Sequence, residues 1–114
     1  MKPMDYSFEV LDEAVHVHID GRVDEGTWEQ FGGALDEAVQ QACQSGLATV
    51  VIDLTQLDYM SSRGLRVLTV AKRLADDAAI SILLASPNEV MSEILAISRY
   101  DKLFTITGPT GAKQ

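Results

Sequence analysis

The stretch that decides the fold reads VVIDLTQLDYMSSRGLRVL and covers residues 50–68. It begins inside an apolar run that ends at Asp53, and such a run predicts a buried β-strand. From Leu65 onward, apolar residues recur at the three- and four-residue spacing of an amphipathic helix. Ser61 and Ser62 stand at the junction, and either hydroxyl is a natural N-cap. The stretch therefore predicts a buried strand, a short loop and a helix that opens on serine, where α/β domains often keep functional groups.

Two further strands precede this stretch. Apolar and polar residues alternate over residues 6–10 and again over 15–19, with a tight turn between, which predicts an antiparallel hairpin that ends at residues 21–24. His16 and His18 fall on one face of the second strand. No carboxylate or thiol spacing completes a metal site around them, so we expect two histidines on an exposed strand face, and no metal.

Three helices are predicted from spacing and capping signals. The first covers residues 28–44, opened by a capping box from Thr27 to Gln30 and closed by Gly46 in a left-handed conformation. The second covers residues 62–77. The third follows a second capping box at residues 86–89 and continues to residue 98, with an inward stripe that consists of Val90, Ile94 and Ile97. Gly32-Gly33 weakens the first helix, and a close approach to the sheet would explain the pair.

Two short strands, at residues 80–84 and 103–106, complete the order ββαβαβαβ. Right-handed crossovers make strand–helix–strand neighbours parallel, while the leading hairpin makes the sheet mixed. The predicted fold is thus α/β, a small mixed sheet of about four to five strands with helices mainly on one face. We expect one domain over residues 1–107 and a flexible tail over 108–114.

Composition narrows the function classes. The chain has 114 residues, 46% of them hydrophobic, and a formal net charge of −8. No apolar run reaches the ~20 residues of a membrane helix, and no signal region follows the start, so we expect a cytoplasmic protein without membrane insertion. The acidic balance argues against nucleic acid and would suit a basic protein partner, although solubility alone also explains it. A single cysteine, Cys43, excludes an internal disulfide.

Residues 53–68, DLTQLDYMSSRGLRVL, resemble the phosphorylation-site segment of STAS domains, the anti-sigma factor antagonists and their relatives. The resemblance extends to residues 21–24 and 94–106. It implies the STAS fold and a phosphoacceptor two residues before Gly64, which is Ser62. The chain departs from the family pattern at three positions. Ser61 stands where an aspartate is frequent, Arg63 replaces a small residue, and Arg99 replaces a glycine, for which we expect a different cap.

A phosphate on Ser62 would meet free amides and the positive end of the helix dipole. It would add about −1.5 to −2 charges to an acidic surface and oppose docking without unfolding anything. The alternative is an N-cap serine that is never phosphorylated.

Other residues are candidates for partner binding. Asp24 matches a family aspartate beside the phosphoacceptor, so the resemblance implies a hydrogen bond to the Ser62 hydroxyl or a role in orienting the partner; capping of the first helix is the alternative. Tyr59 and Met60 are expected to be exposed or half-exposed contacts, with core packing as the alternative. The second helix carries Arg63, Arg66, Lys72 and Arg73, and its three arginines share a face by helical spacing. They form a candidate docking surface for an acidic partner, or an ordinary solvated face.

Gly64 and Leu65 are expected to be structural, one for a close approach and one as a core anchor. Enzyme motifs are missing: no nucleophile elbow surrounds Ser62, and no glycine-rich phosphate loop with lysine occurs.

The resemblance implies a regulatory protein that binds a serine kinase/anti-sigma factor while Ser62 is free. Phosphorylation of Ser62 would release it, and a serine phosphatase would reset it; the ATP and the metal belong to those partners, and this chain needs no cofactor. A different class remains open, a constitutive STAS subunit that stabilises an ATPase of a lipid transport system or another multiprotein complex. A weak homodimer is also left open.

Overall fold

In the computed structural model, which describes residues 4–108, the chain forms one five-stranded sheet and four helices. The elements in chain order are β1 (Asp5–Leu11), β2 (Ala14–Val23), α1 (Trp28–Ser45), β3 (Thr49–Met60), α2 (Ser62–Asp77), β4 (Ser81–Ala85), α3 (Glu89–Ile97), α4 (Tyr100–Leu103) and β5 (Thr105–Thr107). The sheet order is β1-β2-β3-β4-β5. Only the β1–β2 pair is antiparallel in this described part, and the other three pairs are parallel. The predicted mixed α/β sheet is confirmed, and α4 is an addition to the predicted order.

The predicted hairpin is present. Asp12 and Glu13 link β1 to β2 with φ angles of 53° and 63°, the left-handed backbone of a tight two-residue turn. The second strand is longer than predicted, because it continues through Gly21 and Arg22 to Val23. Residues 21–23 therefore belong to the sheet, where they pair with the far half of β3.

The prediction of a loop between residues 53 and 61 is wrong, because β3 continues to Met60. The pairing of β2 with β3 shifts register twice along this half. Leu54 and Leu57 are both buried although three positions separate them, while Thr55 and Gln56 between them are exposed. The irregular strand breaks the period-two pattern, which is why the sequence suggested a loop.

The two faces of the sheet differ in cover. One face, here the covered face, carries the buried residues of the central strands, among them Val15, Val17, Ile19, Val50, Ile52, Ile82 and Leu84. The helices complete the hydrophobic core on this face with Phe31, Leu35 and Ala38 of α1 and Leu68, Ala71 and Ala75 of α2. The opposite face, here the open face, presents His16, His18, Val51, Asp53 and Leu83, none of which is buried. The expectation of helices mainly on one face is confirmed.

Both predicted capping boxes are wrong. Thr27 does occupy the N-cap position of α1, but its hydroxyl donates to the Arg22 carbonyl at 2.8 Å and accepts from the Asp24 amide at 2.9 Å, so it ties the preceding loop instead. The helix α3 begins at Glu89 with Asn88 as N-cap, and the Asn88 side chain accepts from the Met91 amide at 2.9 Å. The N-terminal end of α1 thus lacks a side-chain cap within the described residues, whereas that of α3 has one.

Of the predicted inward stripe of α3, Ile94 packs against the core, whereas the prediction is wrong for Val90 and Ile97. Met91 and Leu95 are fully buried, whereas Val90 is 50% exposed and Ile97 is 82% exposed. Nδ2 of the Asn88 side chain donates to the Leu57 carbonyl of β3 at 2.9 Å and so fixes how the helix sits on the sheet. Apolar residues occupy two adjacent stripes of this helix, and spacing alone could not choose between them.

The C-terminal part differs in detail. Leu103 belongs to α4 and is exposed, and the last strand begins at Thr105, two residues later than predicted. Arg99 precedes α4 with a φ of 67°, the left-handed conformation that a glycine would favour. The expectation of a different cap at Arg99 is therefore wrong, because the residue after the C-cap of α3 adopts the left-handed conformation despite its side chain. Of the expected flexible tail, residues 109–114 lie outside the described residues, and that expectation stays a prediction.

Candidate functional site

The site centres on the junction of β3 and α2. Ser61 is the N-cap, with extended backbone angles of −78° and 174°, and its hydroxyl accepts from the Gly64 amide at 3.3 Å. Its own amide donates to the Val23 carbonyl at 2.8 Å, which ties the junction to the end of β2. Of the two serines, Ser61 is therefore the cap and is half-buried.

Ser62 is the first residue of α2 and is exposed. Its hydroxyl makes no hydrogen bond within residues 4–108, and the capping role belongs to Ser61. The amides of Ser62 and Arg63, in the first turn, find no backbone acceptor in the same range. An exposed hydroxyl beside unsatisfied helix amides is the geometry in which an added phosphate is stabilised rather than strained.

Gly64 holds this junction against the core. A Cβ built on Gly64 would lie 2.4 Å from Cγ of Met60 and 2.7 Å from Cγ1 of Val23, too close for any side chain. The predicted close approach is confirmed. Leu65, the expected core anchor, is half-buried and packs against the core. The first turn of α2 is thus fixed by packing underneath while its outer side faces solvent.

Asp24 does not bond to Ser62. Its Oδ1 accepts from the Gly26 amide at 3.0 Å and lies 3.2 Å from the Thr27 hydroxyl oxygen, and its Oδ2 lies 3.7 Å from Nε of Arg22. The expected hydrogen bond to the Ser62 hydroxyl is therefore wrong within the described contacts, and Asp24 organises the loop before α1. The alternative, a side-chain cap on the first helix, is also wrong, because α1 has no side-chain cap among the described residues.

Two aromatic–arginine pairs flank the junction. The Arg22 guanidinium lies 4.7 Å from the centre of the Tyr59 ring, and that of Arg63 lies 5.0 Å from the centre of the Trp28 ring. Arg63 also approaches Glu25, with Nε 3.3 Å from Oε1. These cation–π contacts hold the two arginines in place at the surface.

The expected contact residues divide into two groups. Met60 is 2% exposed and belongs to the core, so the expectation of an exposed contact at Met60 is wrong. Its position at the end of β3, under Gly64, explains the burial. Tyr59 is half-buried, and Arg63 and Arg66 are exposed, so these three remain on the accessible surface around Ser62.

Sequence reasoning missed a polar cluster on the open face. His18 donates through Nδ1 to Oδ2 of Asp53 at 2.7 Å and through Nε2 to Oε1 of Glu9 at 2.9 Å when both ring nitrogens are protonated. Burial opposes that charge, but the hydrogen bonds and charges of Asp53 and Glu9 outweigh it and raise the pKa of His18.

Asp53 shows the complementary effect. Burial alone would raise its pKa, but hydrogen bonds from the Thr55 hydroxyl and amide, together with His18, lower it. The alternation of histidines pointed to this face, but their partners sit on two other strands. Only the strand register brings the three side chains together. Neither this cluster nor any other group of His, Cys, Asp or Glu side chains in the described part of the chain is arranged to hold a metal ion.

The five-stranded mixed sheet and the serine at the start of α2 define an α/β domain of STAS type. The family model described as "Mlab, STAS domain" matches residues 7–106, and the chain therefore belongs to the STAS family. None of the helices within residues 4–108 is long and apolar enough to cross a membrane.

Solved structures share this fold at low sequence identity. An anti-sigma factor antagonist from Mycobacterium paratuberculosis superposes with a TM-score of 0.80 at 18% identity, covering 93% of this chain and 86% of that one. The anti-sigma factor antagonist SpoIIAA in its unphosphorylated form gives 0.65 at 18% identity, covering 92% and 88%. The Bacillus cell fate determinant SpoIIAA in its phosphorylated form gives 0.63 at 20% identity, covering 90% of each chain.

Proposed function

We propose that this chain is a partner-switching regulator of the anti-sigma factor antagonist type. It binds a serine kinase/anti-sigma factor in the cytoplasm while Ser62 is unmodified, and phosphorylation of Ser62 releases it. A serine phosphatase restores the binding form. The observation that carries the proposal is the exposed, unbonded hydroxyl of Ser62 on the first turn of α2.

The division of labour between the two serines supports this proposal. Ser61 caps the helix, so Ser62 can be modified without loss of the cap. A phosphate on Ser62 would lie beside the free amides of the first turn and beside Arg63, and both favour a dianion. The fold would stay intact, because Gly64 already fixes the turn against Met60 and Val23.

The comparisons add support at the level of fold. SpoIIAA takes this fold in both its unphosphorylated and its phosphorylated form. Phosphorylation of that protein is thus compatible with this architecture. A switch of this kind acts through surface charge, because a dianion must be desolvated before a partner can dock over it.

The first experiment maps the phosphoacceptor. A lysate of the source cells supplies the kinase with labelled ATP, and wild type, Ser62→Ala and Ser61→Ala are compared as substrates. We expect incorporation into wild type and Ser61→Ala and none into Ser62→Ala. The Ser61→Ala variant is the matched control, because it removes the neighbouring hydroxyl on the same junction. Undiminished incorporation into Ser62→Ala contradicts the assignment.

The second experiment reads partner release. Tagged wild type, Ser62→Ala and Ser62→Glu are expressed in their own cells, and the proteins that purify with each are identified and quantified. We expect an ATP-binding kinase with wild type and Ser62→Ala, and a loss of at least about tenfold with Ser62→Glu, since a desolvated charge opposes docking. Equal recovery with all three variants contradicts the switch.

A second candidate function is a constitutive subunit that stabilises an ATPase of a lipid transport system or a similar complex. The exposed apolar side chains of α3, Val90 and Ile97, favour it, because a permanent interface needs apolar surface. Under this function the partner is an ATPase, its recovery is indifferent to Ser62→Glu, and Ile97→Glu abolishes it. The Ser62→Glu and Ile97→Glu variants together separate the two candidates.

A further inference from the structure

A groove of about 500 Å³ runs along the surface between α1 and α2. Its apolar lining comes from Trp28 and Gly32 on α1 and from Val67, Val70 and Ala71 on α2. A volume of this size lies within the range of sites that bind small molecules. The groove is thus large enough for one small ligand with an apolar body.

Gly32 keeps the groove open. A Cβ built on Gly32 would meet only Cγ1 and Cγ2 of Val67, at 3.8 and 3.9 Å. The glycine therefore faces α2, and the sequence-based explanation of a close approach to the sheet is wrong. A glycine inside a helix costs about 1 kcal/mol against alanine. Here its missing side chain leaves the space that a larger residue would fill.

The charged side chains are distributed unevenly along the groove. Arg63 and Arg66 line it towards the N-terminal end of α2, and Asp36 lines it from α1. The Arg63 guanidinium already contacts Glu25 and the Trp28 ring, whereas Arg66 makes no ion pair within the described part of the chain. A chain with a net charge of −8 thus places two guanidinium groups at one apolar groove. An anionic head group would be attracted to that end and repelled by Asp36.

We propose that this groove binds a small amphiphilic anion, with its apolar body against Val67 and Ala71 and its acidic head group at Arg66. This site is separate from the Ser62 hydroxyl, and it needs neither phosphorylation nor a protein partner. Its failure would leave the proposed function untouched, and the reverse also holds.

Trp28 supplies a direct reporter, because it is the single tryptophan of the chain and lines the groove. The probes are decanoate, 1-decanol and decyltrimethylammonium, each below its micellar concentration, followed by Trp28 emission. We expect a saturable blue shift with decanoate, a weaker response with the alcohol and none with the cation. Equal responses to all three head groups, or no response to decanoate, overturn the proposal.

Three variants locate the binding. Arg66→Gln should weaken decanoate binding by about two- to fivefold, the worth of one exposed charge contact. Arg73→Gln is the matched control, an exposed arginine of the same helix outside the groove, and it should leave binding unchanged. Gly32→Leu should fill the groove and reduce binding at least about tenfold, the loss of a buried apolar contact.

Val70→Glu guards against a folding defect in Gly32→Leu. Val70 is 49% exposed, so a carboxylate there is tolerated by the fold, yet it places a like charge beside the ligand. We expect this variant to keep the urea midpoint of wild type and to lose decanoate binding. Retained binding in Val70→Glu, or equal weakening by Arg66→Gln and Arg73→Gln, overturns the proposal. A peptide that occupies the groove while decanoate does not would also overturn it.

Discussion

On the covered face of the sheet, Val50 and Ile52 are at most 1% exposed, whereas Val51 and Asp53, which alternate with them on the open face, are only partly buried. Both sets lie on one strand and share the same backbone pairing with β2 and β4. The covered face is held by apolar packing against α1 and α2. The open face instead carries an ion-paired cluster of Glu9, His18 and Asp53. Stability should therefore depend on packing on one side and on pH on the other.

The largest expected effect tests packing on neighbouring residues of β3. Ile52→Ala should lower the free energy of unfolding by about 2–5 kcal/mol, because it leaves a cavity under the helices. Val51→Ala, one residue away on the open face, should cost less than about 1 kcal/mol, since only strand propensity and partial burial are lost. Urea unfolding followed by circular dichroism measures both. Equal costs would mean that both faces are packed alike.

The next effect tests how tightly α2 sits on the covered side. Gly64→Ala should cost about 1–3 kcal/mol, because the new methyl group overlaps Met60 and Val23. Gly33→Ala is the control: no described atom beyond its own stretch of helix lies within 4 Å of a Cβ at this position, so it should stabilise by about 1 kcal/mol. A neutral Gly64→Ala would show that the core can shift to admit a side chain.

Much of this covered side could be predicted from the sequence. The hairpin, the parallel strands, the extent of α2 and the cap of α1 at Gly46 all follow from spacing and turn chemistry. The errors lie where the periodic signal is ambiguous. The irregular half of β3 resembled a loop, and the two apolar stripes of α3 allowed either one to face inward. In both places long-range contacts, such as that of Asn88 with Leu57, decide the outcome.

The site was only partly predictable. Ser61 and Ser62 were found from the helix start, but which of them is the cap depends on backbone geometry that spacing does not fix. Asp24 was placed near the junction, yet its side chain turns to its own loop. The cluster around His18 and the groove beside Trp28 depend on the register of strands and the packing of helices. Neither leaves a pattern that is local in sequence.

A smaller effect concerns the pH dependence of the open face. Only the imidazolium form of His18 donates to Asp53 and Glu9 together. The pKa of His18 is raised in the folded state above its ordinary 6.5, so its stabilisation is complete below 6.5 and is lost as the pH rises through the folded pKa. The lowered pKa of Asp53 gives stabilisation above 3.8 that is lost as the pH falls through the folded value.

Urea unfolding of wild type and His18→Gln between pH 5.5 and 8.5 tests this dependence. We expect the free energy of unfolding of wild type to exceed that of the variant by less than about 1 kcal/mol at the acidic end, since the pair is partly exposed. The difference should shrink as the pH rises. His16→Gln is the control, because His16 stacks on His18 but pairs with no carboxylate in residues 4–108. A difference that grows with pH contradicts the sign.

The smallest effect divides the cluster between its two carboxylates. The side chain of Glu9 is 52% exposed and that of Asp53 is 26% exposed, and Asp53 also accepts from the Thr55 hydroxyl. At pH 6, Glu9→Gln should therefore cost only about 0.2–0.5 kcal/mol, and Asp53→Asn should cost more. As the pH rises through the folded pKa of His18, the cost of Glu9→Gln should vanish, because neutral His18 carries one N–H and the bond to Asp53 retains it. A larger loss of unfolding free energy from Glu9→Gln than from Asp53→Asn at pH 6 would mean that His18 is bound more strongly by Glu9, on the edge strand β1, than by Asp53.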